Sequence, residues 1–317
     1  MSYLWNLFQA DTLSIQVFKY FLQHIEDTDI EALIRHAIDV SQQHVEIIDK
    51  IFKDEGIALP QGFTEEDVNL KAKRLFSDPF YLFYLKHMTK GGLQTYARVL
   101  PDIYRDDVLA FFSKCLTSTI ELNKEVTDIL LEKGLAVRPP YIQGPKKTEI
   151  IKKQGFMLEG LGNGRPLTGI EISNLYTNIQ TNHIGSAIST AFSQVVRSQK
   201  IQKLILRGKD IAIKHIEVFS DYLRNNSLPA PMSHDQDITD STEAPFSDRL
   251  MFFHYGMMMY SGVGNYGASI SESQRSDLVV DYSRLLMEIL KFAEDIMNVM
   301  IEKEWLEKPP SAIERKK

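Results

Sequence analysis

An all-α protein made of two tandem four-helix bundles is what this sequence predicts, and three observations predict it. Apolar residues recur at alternating spacings of three and four along much of the chain. The second half repeats the first in a held register, and a stretch rich in glycine and proline separates the two.

The elements follow in order. The opening segment, Trp5 to about Gln23, reads as a first helix. Ile30, Ile34, Ala37, Ser41, His44, Ile48 and Ile51 then line one stripe of a second helix, which buries that stripe against its neighbours. Gly56 stands just past its end, where a left-handed cap favours glycine. Asp78-Pro79 reads as an N-cap followed by proline at the first helical position, opening a third helix. A long fourth helix runs from about Tyr104 to Lys133, with Gly134 as its cap and Pro139-Pro140 as the stop.

The second half repeats this plan. Phe76-Ser77-Asp78 returns as Phe246-Ser247-Asp248, a separation of 170 (246 − 76). At the same offset Phe83 meets Phe253, Tyr96 meets Tyr266, Glu132-Lys133 meets Glu302-Lys303, and Pro139-Pro140 meets Pro309-Pro310. Upstream the offset is 171 (215 − 44), so one residue shifts between Gly56 and Phe76, where a loop absorbs it. Ile201, Ile205, Gly208, Ala212, His215, Phe219 and Tyr222 repeat the stripe of the second helix. A register held this long is a tandem duplication. The expected organisation is a first bundle over 1–138, a linker over 139–170, a second bundle over 171–310 and a charged tail over 311–317. Within the linker, "GLGNGRP" reads as a turn rather than a phosphate loop, because no strand delivers its glycines to a helix. "KKTEIIKKQGF" reads as a solvated face.

Composition narrows the function classes. The chain has 317 residues, 44% of them hydrophobic and 25% charged, with a net charge of −6. No basic stripe with interleaved aromatics is present, which argues against a nucleic-acid partner. A single cysteine, Cys115, fits a reducing compartment. The N-terminal residues do not form a secretion signal, and the most apolar stretch, Leu250 to Met259, is too short to span a bilayer. A cytoplasmic protein without a membrane span is the expectation.

His44-Val45-Glu46 returns as His215-Ile216-Glu217, which raises the question of metal chemistry. Bundles that bind two irons use Glu-x-x-His pairs projecting into the core. The residues three before these histidines are Ser41 and Ala212, which supply no carboxylate. Glu46 and Glu217 lie roughly 200° round the helix from the seam. No cofactor is therefore predicted, with a metal ion only a minor alternative. Both histidines read as satisfied core residues, given room by Ala37 and Ser41 or by Gly208 and Ala212, with a tyrosine hydroxyl such as Tyr96 or Tyr266, or a backbone carbonyl, as hydrogen-bond partner. His44, His215, Tyr96, Tyr266 and His254 are the candidates for contact with a small ligand. Cys115, in the place of Leu285, reads as packing, and Met257-Met258-Met259 as core filling. "TEED" (64–67) and its counterpart "HDQD" (234–237) read as solvated acidic loops. The copies differ at Tyr84 against His254 and at His87 against Met257, so any pocket is not expected to be identical in both.

Long segments resemble a known family. "NLYTNIQTNHIGSAISTAFSQV" (174–195), "KHIEVFSDYL" (214–223), "STEAPFSDRLMFFH" (241–254) and "IEKEWLEKPP" (301–310) are similar to the tandem-repeat domain-of-unknown-function family 3231. "VFKYFLQHIED" (17–27) and "GFTEEDVNLKAKRLFSDPF" (62–80) extend the resemblance through the first half. The resemblance implies two ferritin-like bundles in a protein of endospore-forming bacteria, similar to spore coat protein F. It carries over no catalytic residue. A non-enzymatic structural or interaction protein, associated with sporulation or the spore coat and partnered by coat proteins or by itself, is the function it implies. A ferritin-like small-molecule or metal-binding protein with a nonstandard site is the alternative.

Overall fold

The computed structural model describes residues 1–136, 138–152, 154–158, 165–313 and 315. Among these the protein is all-α. Helices α1 (Ser2–Leu22), α2 (Thr28–Asp54), α3 (Asp78–Val99) and α4 (Asp106–Glu132) form the first half. A four-residue turn of helix, α5 (Gly155–Leu158), precedes α6 (Gly169–Val195), α7 (Gln199–Arg224), α8 (Asp248–Glu272) and α9 (Ser276–Glu302). Neighbours in sequence pack as pairs, α1 on α2, α3 on α4, α6 on α7 and α8 on α9.

The duplication is visible in the backbone. Gly56 and Ser227 both hold positive φ, at 62° and 56°, and stand 171 apart (227 − 56). Gly134 and Glu304 do likewise at 69° and 56°, 170 apart (304 − 134). Each closes a helix with the same long backbone bond, Ile57 N–H to Phe52 O in one copy and Leu228 N–H to Leu223 O in the other, both 2.9 Å. These are left-handed C-caps, and they satisfy carbonyls that the helix end would otherwise orphan. The one-residue shift thus falls after Gly56 and before the short 3₁₀ turns Glu65–Asp67 and Asp235–Asp237, which are again 170 apart.

Two sequence expectations need correction. Ser77, not Asp78, is the N-cap of α3. Asp78 instead accepts from the amides of Glu26 and Asp27 at the entry to α2, as Asp248 does from Arg197 and Ser198 at the entry to α7. A carboxylate on one helix therefore positions the start of its neighbour. The acidic loops are also not merely solvated, because Asp67 and Asp237 are buried. The Ser77 hydroxyl donates to Asp237 Oδ1, and the Ser247 hydroxyl donates to Asp67 Oδ1, each at 2.7 Å. The backbone repeats the exchange: Ser77 N–H to Asp237 O, Ser247 N–H to Asp67 O, Asn69 N–H to Pro245 O, and Thr239 N–H to Leu75 O. The loop of each copy thus crosses to the helix start of the other, as an approximate two-fold axis requires.

The core follows the same logic. One apolar cluster lies at the outer end of each half, around Trp5, Phe52 and Phe112 in the first and around Phe219, Tyr266 and Tyr282 in the second. A third joins them, with Phe21, Phe80 and Tyr81 of the first copy packed with Phe192, Phe252 and Tyr255 of the second. The linker bears out its solvated reading over 146–152, which is exposed. "GLGNGRP" lies outside the described residues except for Arg165 and Pro166.

Candidate functional site

Four polar arrangements in the interior account for the candidate residues. In the first half, His44 is buried on α2 and its Nδ1 lies 3.2 Å from Asp11 Oδ2 on α1. Burial pushes the Asp11 carboxyl up from its ordinary range, against the hydrogen bond and charge of His44, which pull it down. Tyr96 makes only an edge contact with this imidazole, ring centres 6.3 Å apart, so the expected Tyr96 hydrogen bond to His44 gives way to Asp11. Cys115 is buried nearby, and burial raises its thiol, leaving it a packing residue.

In the second half the Tyr266 hydroxyl meets His215 Nδ1 at 2.9 Å, as expected. Asn182 occupies the place of Asp11, and its amide donates to Tyr266 at 2.9 Å. Tyr266 then donates to His215 Nδ1, which leaves the Nε2–H for Glu288 Oε2 at 3.2 Å. Burial lowers the His215 pKa and Glu288 raises it, with burial the larger influence. The imidazole is held neutral in a chain from core to surface, ending at Glu288 and Lys214. Both copies present Nδ1 to an interior partner, the Asp11 carboxylate in one and the Tyr266 hydroxyl in the other, and only in the second does a carboxylate, Glu288, take Nε2. Gly208 serves a different purpose from the one its sequence position suggested. A Cβ there would sit 2.1 Å from the Tyr255 hydroxyl and 2.8 Å from Phe292, so the glycine admits those rings rather than the imidazole.

His254 sits where the copies meet. Its Nε2 lies 2.7 Å from the hydroxyl of Tyr84, its own counterpart at an offset of 170 (254 − 84), and the two rings lie 18° from parallel. A residue on a two-fold axis meets its own copy, and divergence between the copies makes that meeting a hydroxyl–imidazole hydrogen bond here. Burial lowers His254 to about 4, and its Nδ1 has no hydrogen-bond partner among the described residues. Beside it, His87 of α3 reaches the second copy and lines a cavity of about 40 Å³ with Asn182, Ser189, His215, Tyr255 and Tyr266.

A fourth arrangement carried no repeat signal. Glu171, wholly buried at the start of α6, accepts from both Arg165 Nη atoms at 2.8 Å, from Thr168 N–H at 2.8 Å, and from the amides of Gln274 and Arg275. Burial pushes its pKa up, but these donors together outweigh burial and hold it at about 2. The "Thr-x-x-Glu" of a capping box, Thr168 and Glu171, is the signal that could have found it.

Among the described residues these donors are not gathered as those of a dinuclear iron site are. A dinuclear site needs carboxylates and Glu-x-x-His pairs from four helices. Here Asp11 meets one imidazole, and Glu288 reaches His215 from the outer side while bound to Lys214. Among the described residues no three His, Cys, Asp or Glu side chains converge as a metal set would. Glu46 and Glu217 are exposed. Nor, among the described residues, is any helix long and apolar enough to cross a membrane.

Fold and interior thus define a duplicated all-α protein whose buried polar groups join helix to helix. The chain belongs to the family described as protein of unknown function (DUF3231), which matches twice, over residues 1–148 and 155–317. Among curated proteins it is similar to the uncharacterized protein YvdQ of Bacillus subtilis (strain 168), with 25% identity over 141 residues, 43% of this chain and 83% of YvdQ. Among solved structures it is similar to a candidate spore coat protein from Bacillus halodurans C-125, at 19% identity and a TM-score of 0.44, covering 47% of this chain and 98% of that one.

Proposed function

We propose that this is a non-enzymatic structural or interaction protein that acts in sporulation or in the spore coat of endospore-forming bacteria. One observation supports the non-enzymatic part. The four buried carboxylates among the described residues, Asp11, Asp67, Glu171 and Asp237, are each bound to a partner on another segment. A carboxylate engaged by a donor on another segment ties the two segments together. These join α1 to α2, one copy to the other, and the entry of α6 to the entry of α9. The spore setting rests on the sequence resemblance, and coat components are laid down inside the mother cell, in keeping with the composition.

A fluorescent fusion followed through growth and sporulation in the native host tests the setting. Accumulation after sporulation begins, with fractionation into the spore, is the expected outcome. Constant expression in vegetative cells without enrichment in spores would contradict it.

A further inference from the structure

The outer side of α9 carries an apolar stripe that the described residues leave uncovered. Val280, Met287 and Ile301 fall on one seven-residue series, Glu294 fills the remaining place in it, and Leu290 and Met297 stand three residues further on. The five apolar side chains are each 41–65% exposed. Single exposed aliphatics are ordinary, but five along one seam of a helix form a contiguous patch. Their spacing is that of the seam by which one helix packs along another. The duplication supplies a comparison within the same chain. At the matching places on α4, Val280, Met287 and Met297 are answered by Ala110, Thr117 and Thr127, and Glu294 by Lys124. A helix in the same place in the bundle thus does without the apolar stripe, so the fold itself does not require it.

The stripe carries its own complement. Ser283 completes the pattern on the side of Leu290 and Met297. If two α9 helices run antiparallel about a two-fold axis between residues 288 and 289, Met287 of one molecule comes against Leu290 of the other, and Val280 against Met297. Glu294, beside its own Lys291, then comes against Ser283 and Arg284 of the second molecule. Glu294 is exposed and has no ion pair or hydrogen bond of its side chain among the described residues, so this pairing gives it a counter-charge, twice by symmetry. A parallel pairing would set Glu294 against itself, and like charges at such a position repel. The next row of α9 is held to α7 by the ion pairs Lys214–Glu288 and Arg207–Asp295, which border the stripe with charge as the rim of an interface does. We propose that the protein forms an antiparallel dimer through α9, with residues 280–301 of two molecules packed along a seam of about 32 Å. Such a contact uses the same surface on both molecules and closes on itself. It does not depend on the spore setting, which stands or falls by its own experiment.

Sedimentation velocity of the full chain from about 1 to 100 µM tests the proposal. A monomer–dimer equilibrium with a dissociation constant of micromolar order is expected, since one helix pair makes a small interface. Met287→Glu should weaken the dimer by about tenfold or more, while Thr117→Glu at the matching place on α4 leaves it unchanged. Both positions face outward, and melting curves of the dilute variants check that each folds. Glu294→Arg and Arg284→Glu should each weaken the dimer, and the two together should restore it. A chain that stays monomeric up to about 100 µM would leave the stripe to a different protein and overturn the proposal. So would a dimer indifferent to Met287→Glu, assembly beyond the dimer, or a charge exchange that restores nothing.

Discussion

Glu171→Gln is the substitution whose cost is best defined by the structure. The carboxylate is wholly buried and accepts from five donors at 2.8–3.1 Å. Glutamine matches its shape but turns an NH₂ toward at least two of these donors, since Oε2 accepts from two and Oε1 from three. It also strands the Arg165 guanidinium, whose side chain is only 7% exposed. Breaking one partner of a buried ion pair costs about 3–5 kcal/mol. The pKa gives an independent figure. A fall from the ordinary 4.5 to about 2 corresponds to about 3 kcal/mol of preference for the charged form. Its sign follows from linkage: a depressed carboxyl contributes fully above pH 4.5 and loses that contribution as pH drops toward about 2. Urea unfolding of both proteins from pH 7 down to pH 2.5 is the assay. The variant should be less stable by about 3–5 kcal/mol at neutral pH, with the gap narrowing below pH 4.5. A deficit under about 1 kcal/mol, or a gap constant across that range, would refute the reasoning.

Further outcomes follow from other contacts. Gly208→Ala drives a methyl into the Tyr255 hydroxyl and Phe292, and should destabilise by about 1–3 kcal/mol in thermal melts despite alanine's better helix propensity. Asp67→Ala strands Ser247 and Arg249 across the junction and should cost about 2–3 kcal/mol by chemical denaturation, more than Asp237→Ala, whose cross-copy side-chain partner is Ser77. Ser227→Gly relieves a left-handed serine and should stabilise by up to about 1 kcal/mol in the same assay, whereas Gly56→Ser at the matching cap should destabilise.

Much of this fold was legible because duplication writes itself into spacing. Helix periodicity found the stripes of α2 and α7, and a constant offset paired them without any knowledge of contacts. The offset test fails where the copies diverge. Asp11 answers to Asn182, so a search for repeated residues passes over both, and Asp11 stands beside His44 where a tyrosine or a carbonyl was expected. Contacts between the copies are harder still. Asp67 meets Ser247 at a sequence distance of 180, and no local pattern marks that pairing. A trace was nonetheless present: the acidic turn and the Phe-Ser-Asp motif recur together at one offset, as two segments exchanged about an axis must. Gly208 was misread because periodicity names the face a residue occupies, not the ring that presses on it.

Elemental analysis of protein purified from its native host without chelator bears most directly on the claim that the interior carboxylates hold helices and copies together. That claim predicts iron, manganese and zinc all well below one atom per chain, in the unaltered protein and in a His44→Leu, His215→Leu double variant alike. One or more atoms of a single metal per chain, lost in the double variant, would contradict it.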